Sequence, residues 1–341
     1  MNRRWATTSA LLQASVGPVA IDETAETPPP PGSTGWFREA VEAKVRGTWE
    51  QFDSSLVPHG APTAIEDTHS QLHCHYIRSD NNGQLKLDVL AGQLAKQIVH
   101  FCIPRSSIAA AQAIADEDER MVETTRLALQ AQKLFTRTQP NTGEGGELLL
   151  FTLLERYLGL PQIISKMSMK TNTEMQIHGS DSVHAKVLPD GKLALYWGEA
   201  KVYADLSSAM AACFDSITPF LLGNAAGQDV FLIEHYADLA DPDLKARIID
   251  YFDPDSPLSN ELVVRGACLI GFPAVDYPEL PARADELAEA LNAEVADWNG
   301  RLKTRISNKQ LKRVTMEIFF VPLPSADEFQ AAIKRALGIA S

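Results

Sequence analysis

The sequence predicts an α/β protein whose core runs α-β-β-β-α-β, a mixed sheet flanked by helices, with a further α/β region before it. Three observations carry this expectation. Between residues 140 and 236, stretches of helical and of alternating apolar spacing follow one another in that order. Within them, Pro189-Asp190-Gly191 separates two alternating runs and marks a hairpin. Upstream, residues 36–135 mix both periodicities around a second turn signal, Asp80-Asn81-Asn82-Gly83.

The chain has 341 residues, enough for one large domain or two ordinary ones. Three regions follow from composition. Residues 1–35 read as a tail and a proline-rich linker, since 22–34 are acidic and then carry four consecutive prolines, Pro28 to Pro31. Residues 36–138 form the N-terminal α/β region, and 139–341 the core with a C-terminal extension. Arg3 and Arg4 precede a mildly apolar stretch, but Gln13, Ser15, Gly17 and Pro18 interrupt it, so we read it as a false match to a secretion signal. No apolar run has the length of a membrane span.

The elements are expected as follows. Residues 72–78 and 85–90 form two strands around the Asp80–Gly83 turn, and helices follow at 91–101 and 116–135. A helix over 140–158 opens the core, and Pro161 separates it from a strand at 162–168. Strands at 180–188 and 192–203 form the hairpin. A helix spans 205–222, with Met210, Phe214, Ile217 and Leu221 on one face, and 230–234 is a short strand. A strand at 262–272, a helix at 282–305, a strand at 314–321 and a helix at 326–337 complete the chain.

The second hairpin strand carries the chemistry. Alternation puts Leu193, Leu195, Trp197, Glu199, Lys201 and Tyr203 on one face, an acid and an amine at the end of an apolar row. Two charges on a half-buried face are costly unless they pair or hold an ion. A three-residue loop with Gly191 left-handed pairs Leu188 with Lys192 and so brings Asp181 opposite Glu199. Opposed carboxylates repel, and a divalent cation between them removes the penalty. Mg²⁺ is held by one or two carboxylates with water and phosphate.

The preceding helix supplies a third acid. Glu144 stands three residues after Asn141, a capping-box spacing that gives it a structural role. Glu147 heads the stripe Leu150, Phe151, Leu154 and Leu158, and so points inward. We expect Asp181, Glu199 and Glu147 to hold Mg²⁺ or Mn²⁺ and Lys201 to position or deprotonate water, or to neutralise charge on a phosphate. His184 falls on the opposite face from Asp181 by parity, which suits packing. The bland alternative is a salt-bridged hairpin with a charged helix end.

The motifs resemble those of the PD-(D/E)xK nuclease superfamily. Their wording, Gly143-Glu-Gly-Gly-Glu147, Gly179-Ser-Asp181-Ser-Val-His184 and Trp197-Gly-Glu199-Ala-Lys201-Val-Tyr203, is similar to the HamA family, nuclease subunits of the Hachiman anti-phage defence system whose partner HamB is a helicase. The resemblance covers roughly residues 140–235. It implies a restriction-endonuclease-like core, Glu147, Asp181, Glu199 and Lys201 as catalytic residues, DNA as substrate, and control by a helicase subunit. No proline precedes Asp181, a departure common in the superfamily. The sequence holds no GxxxxGK[ST] loop, which leaves ATP to the partner.

A net charge of −13 argues against a protein that coats nucleic acid unaided. The most basic segment, 301–313, reads equally as a solvated helix end or as a phosphate-contacting patch. A non-catalytic docking module on the same fold is the competing class, and a stand-alone repair or restriction nuclease is the third. Four scattered cysteines without a CxxC pair fit reduced thiols and the cytoplasm. His73-Cys74-His75 allows a zinc site, but a strand with partly buried polar side chains accounts for it more simply.

Overall fold

A computed structural model describes residues 32–47, 52–136, 143–165, 180–222, 237, 239, 241–274 and 284–339, with 284–290 and 293 described by backbone alone. The tail and most of the proline-rich linker, Asn141, residues 166–168 and the expected strand at 230–234 lie outside the described residues.

The strands are β1 (Leu56–Pro58), β2 (Thr63–Ala64), β3 (Gln71–Ile77), β4 (Gln162–Ser165), β5 (Ser182–Val187), β6 (Leu193–Val202), β7 (Leu262–Pro273) and β8 (Met316–Leu323). They form one eight-stranded mixed sheet in the order β1-β3-β8-β7-β6-β5-β4, with β2 also on β3. The centre is parallel: β6 pairs with β7, β7 with β8, and β8 with β3. Both ends are antiparallel. Parallel strands must be covered on both faces, and their near-continuous apolar sequences, such as Ala267-Cys268-Leu269-Ile270, fit that demand. Because β3 pairs with β8, the sheet crosses the 138/139 boundary.

The helices are α1 (Thr34–Glu42), α2 (Leu87–Lys96), α3 (Ile98–Cys102), α4 (Arg105–Gln112), α5 (Glu117–Thr136), α6 (Glu144–Leu158), α7 (Leu206–Leu222), α8 (Pro242–Asp250), α9 (Ala284–Asn308) and α10 (Ala326–Ala336). Two cores lie on the two faces of the sheet. Side chains of α1, α7, α8 and α9 build one with Leu195, Trp197 and Ile270, and those of α2, α3, α5, α6 and α10 build the other with Tyr196, Leu269 and Phe319. The result is an α/β sandwich with a mixed sheet between helical layers.

One expected strand is corrected. The Asp80 turn forms, its Oδ1 accepting from the amides of Asn82 (2.8 Å) and Gln84 (2.9 Å). Beyond it only a bridge between Ser79 and Leu85 remains, and the chain enters α2 at Leu87 instead of continuing as a strand. Leu87, Leu90, Ala91 and Leu94 recur at helical spacing and are all buried, whereas Val89, which an alternating strand would bury with Leu87, is 44% exposed. The helix expected over 91–101 likewise divides at Gln97 into α2 and α3. Segments α1, β1, β2, α4 and α8 were not legible beforehand, because they are short and take their order from the core they cover.

Candidate active site

The β5–β6 hairpin adopts the register expected from its loop. Val187 faces Leu193 and Ser182 faces Gly198. The Leu188 amide donates to Lys192 O at 2.8 Å, and Gly191 takes φ +90°. At the far end the strands close tightly: a Cβ on Gly198 would stand 2.3 Å from Ser182 Oγ. Only glycine permits that approach. One residue on, β5 ends. The Asp181 amide donates to Gly198 O at 2.8 Å, and the Asp181 carboxylate accepts from the Ala200 amide at 2.9 Å. The aspartate side chain therefore does for β6 what the next backbone carbonyl of a strand would have done.

Parity orders the strand residues. Val183, Ala185, Val187, Leu193, Leu195 and Trp197 all enter the core beneath α7, Glu199 and Lys201 continue the β6 row, and Asp181, just outside β5, joins them through the Ala200 amide. Asp181 and Glu199 are buried. Lys201 Nζ pairs with Glu199 Oε1. Burial disfavours the lysine's charge, but the Glu199 carboxylate, its hydrogen bond and then Asp181 outweigh that, and Lys201 is held above the usual lysine range. It therefore stands as an ammonium between two acids.

Behind this cluster, Cys213 of α7 donates to Glu199 O at 3.6 Å, and Cys268 of β7 is registered with Glu199. Burial, then Cys268 and Glu199, push the Cys213 thiol well above its ordinary range. A protonated thiol sealed in the core is a support for the Glu199 backbone and not a nucleophile.

Glu147 is supplied by α6. It lies buried in the first turn of α6, where a Cβ on the neighbouring Gly146 would meet Val202 Cγ2 at 3.0 Å and Ala200 Cβ at 3.5 Å. Ala200 and Val202 alternate with Glu199 and Lys201, so α6 packs on the other face of the sheet. Direct contacts join Glu199 to Lys201 and Asp181 to the backbone between them. Among the described residues, no three His, Cys, Asp or Glu side chains converge as a metal-holding group. Asp181 and Glu199 offer two buried carboxylates. An all-oxygen pair of this kind fits a hard cation such as Mg²⁺, which completes its shell with water and phosphate.

The histidines have other roles. His184 lies on the α6 face, as parity implied; its Nδ1 donates to Leu160 O at 2.7 Å, and burial pulls its pKa down to about 3. His73 Nε2 meets Glu317 at 2.6 Å and its ring stacks on Phe319 at 4.6 Å. Cys74 turns into the other core, and burial pushes its thiol up to about 12. The strand thereby divides the His73-Cys74-His75 tripeptide between two layers.

One residue was missed at the level of sequence. Glu155 is buried at the carboxyl half of α6. Its carboxylate accepts from the Gln162 amide (3.0 Å) and the Arg46 amide, with the guanidinium groups of Arg46 (3.7 Å) and Arg105 (3.9 Å) beside it. Arg46 and Arg105 also bond to Gln162 Oε1 (3.0 Å) and O (2.9 Å). The signal was present, since Glu155 falls four residues after Phe151 on the inward stripe.

With this geometry in place, comparison with known proteins adds one match. The family model described as HamA matches residues 50–337, the greater part of the chain. No curated protein matches it.

Proposed function

The chain belongs to the HamA family, a membership that supports a role in anti-phage defence, and on that premise we propose that it is a metal-dependent DNA nuclease with a PD-(D/E)xK core. The single observation that carries this reading is the cluster on the α7 face: Asp181 and Glu199 buried side by side, with the Lys201 ammonium paired to Glu199. A buried like-charged pair is retained at a cost that an ion would offset.

In this reading Asp181 and Glu199 hold Mg²⁺ or Mn²⁺, and Glu147 is the remaining acid of the set. When bound, the cation supplies Lewis-acid polarisation of the scissile phosphodiester and a more acidic water. The protein's own groups do the rest. Asp181, fixed by the Ala200 amide, and Glu199, backed by Cys213, hold their carboxylates in place without further reorganisation. Lys201, kept cationic by those acids, neutralises charge that builds on the phosphate oxygens and donates a hydrogen bond to them. In the proposed setting a HamB-like helicase governs access to DNA in the cytoplasm. No helix among the described residues is long and apolar enough to cross a membrane.

The test is incubation of the purified chain with supercoiled and linear DNA in Mg²⁺ or in EDTA, beside Glu199→Ala/Lys201→Ala. Mg²⁺-dependent loss of DNA by the wild type alone supports the reading. A second reading, a non-catalytic docking module, draws on the same bonds, because Glu199–Lys201 and Asp181–Ala200 also stabilise the sheet. Absence of cleavage even with the co-purified helicase and ATP would favour it.

A further inference from the structure

The basic segment at 301–313 is sorted by α9 into two sides. Lys303 faces Glu66 and Asp67, at 2.8 Å from each. Arg301, Arg305 and Lys309 follow one another at four-residue spacing and form a stripe along the side nearest α7. Lys309 is seated on Asp215 of α7. Arg301 meets Asp297 at 2.6 Å with both side chains about half exposed, a surface pair that a phosphate can displace at little cost. Among the described residues, Arg305 makes no ion pair.

This stripe borders an open groove of about 600 Å³ between the amino end of α7 and the carboxyl half of α9, with Ser207, Thr304 and Asn308 as further polar walls. Its position follows from packing. Trp298, beside the groove's Asp297, packs edge-on against Phe272 at 5.3 Å. Phe272 follows Gly271, which is registered with Val202 at the end of β6. Met210 of the groove stands one helical turn before Cys213, which touches the backbone of Glu199. The groove therefore runs beside the carboxyl end of the strand that carries Glu199 and Lys201.

Guanidinium forks beside hydroxyl and amide groups match the oxygens of phosphodiesters, and contacts to phosphate carry no sequence information. In a chain of net charge −13, this is a local cationic surface next to a buried acidic cluster. We propose that the groove is a track for the sugar-phosphate backbone of a nucleic acid strand, with Arg301 and Arg305 as its phosphate contacts, leading to Asp181, Glu199 and Lys201. The delivery to that cluster rests on the nuclease reading; the track itself does not.

The experiment is fluorescence anisotropy of labelled single-stranded and duplex oligonucleotides of mixed sequence, titrated in EDTA between roughly 50 and 200 mM salt. It compares the wild type with Arg301→Glu/Arg305→Glu and Lys303→Ala, each checked by thermal melting. The charge-reversal pair is expected to weaken binding at least ~10-fold and to lower the salt slope by about 1 per arginine. Lys303→Ala is expected to bind within ~2-fold of wild type, as a site off the track. Unchanged affinity and slope in the charge-reversal pair would overturn the proposal. So would displacement of the oligonucleotide by polyglutamate as readily as by unlabelled DNA, which would assign the groove to an acidic protein segment. If binding depends on Arg301 and Arg305 but no cleavage is found under any condition, the nuclease reading fails and the track stands.

Discussion

Asp181 closes the end of β5 with its side chain, its carboxylate taking the Ala200 amide at 2.9 Å between Glu199 and Lys201. One group thus serves two purposes, a structural acceptor for a buried amide and a negative charge in the candidate site, and two substitutions separate them.

Asp181→Asn keeps a carbonyl oxygen for the amide and removes the charge. It is expected to melt within about 1 kcal/mol of wild type while losing at least ~100-fold in Mg²⁺-dependent cleavage. Asp181→Ala strands the amide and should cost roughly 1–3 kcal/mol as well. Mg²⁺ at about tenfold its dissociation constant should stabilise the wild type by about 1.4 kcal/mol and leave Asp181→Asn unmoved. Wild-type cleavage by the asparagine variant would remove Asp181 from the ligand set. Glu147→Gln, at the remaining acid of the set, is expected to reduce cleavage in the same assay.

Gly198 and Ser182 make a second test of the site's geometry. A Cβ at 198 would sit 2.3 Å from Ser182 Oγ and 3.3 Å from Leu150 Cδ2, so Gly198→Ala must push β5 from β6 and cost about 1–3 kcal/mol. Because Asp181 is the next residue, cleavage should fall with stability. Ser182→Ala/Gly198→Ala removes the nearest atom and should recover part of both. A double variant no better than Gly198→Ala would show that Leu150 Cδ2 and the Ser182 carbonyl, each 3.3 Å from that Cβ, and not the hydroxyl, limit the fit.

Glu155 holds Arg46 and Arg105 inside the protein. Glu155→Leu leaves two guanidinium groups without their anion, and a loss of roughly 3–5 kcal/mol is expected from chemical denaturation. The effect should appear in stability, with per-molecule cleavage by the folded fraction retained at low temperature. A loss under 1 kcal/mol would mean that the network contributes little net energy.

Acid should weaken the fold through its buried histidines. Burial, and then the neighbouring His73, hold His75 at about 3, and burial holds His184 at about 3. A histidine in the unfolded chain titrates near 6.5. The folded pKa is depressed, so the stability each contributes is present above 6.5 and is lost as pH falls toward 3. At pH 5 each costs about 2 kcal/mol relative to pH 8. Melting temperature against pH is the measurement, with His184→Asn expected to flatten the fall because asparagine takes up no proton in this range. Burial also raises the Glu155 carboxyl, against opposition from Arg46. Its contribution runs the other way and favours the folded state on the acid side.

The hairpin was legible because its information is local. Gly191 in a three-residue loop dictates the register, which runs from the Val187–Leu193 pair to the Ser182–Gly198 pair. The helices at α5, α6 and α7 were legible for a related reason, their apolar spacing extending over several turns. Where the apolar run is short, as at Leu85 to Leu90, helix and strand periods both fit it, and contact with α10 and the core chose the helix.

By itself, then, the sequence determined the α/β class, the β5–β6 register and the shared row of Glu199 and Lys201 on β6, all consequences of backbone periodicity and turn chemistry. Only the tertiary structure decided which layer each group joins. It put α6 across the sheet from α7, drew β3 of the N-terminal region onto β8, gathered Arg46 and Arg105 around Glu155, and laid the α9 arginines beside α7. Those juxtapositions join residues far apart in the chain, and long-range packing sets them, because a periodic pattern specifies which face is apolar but not which partner will cover it.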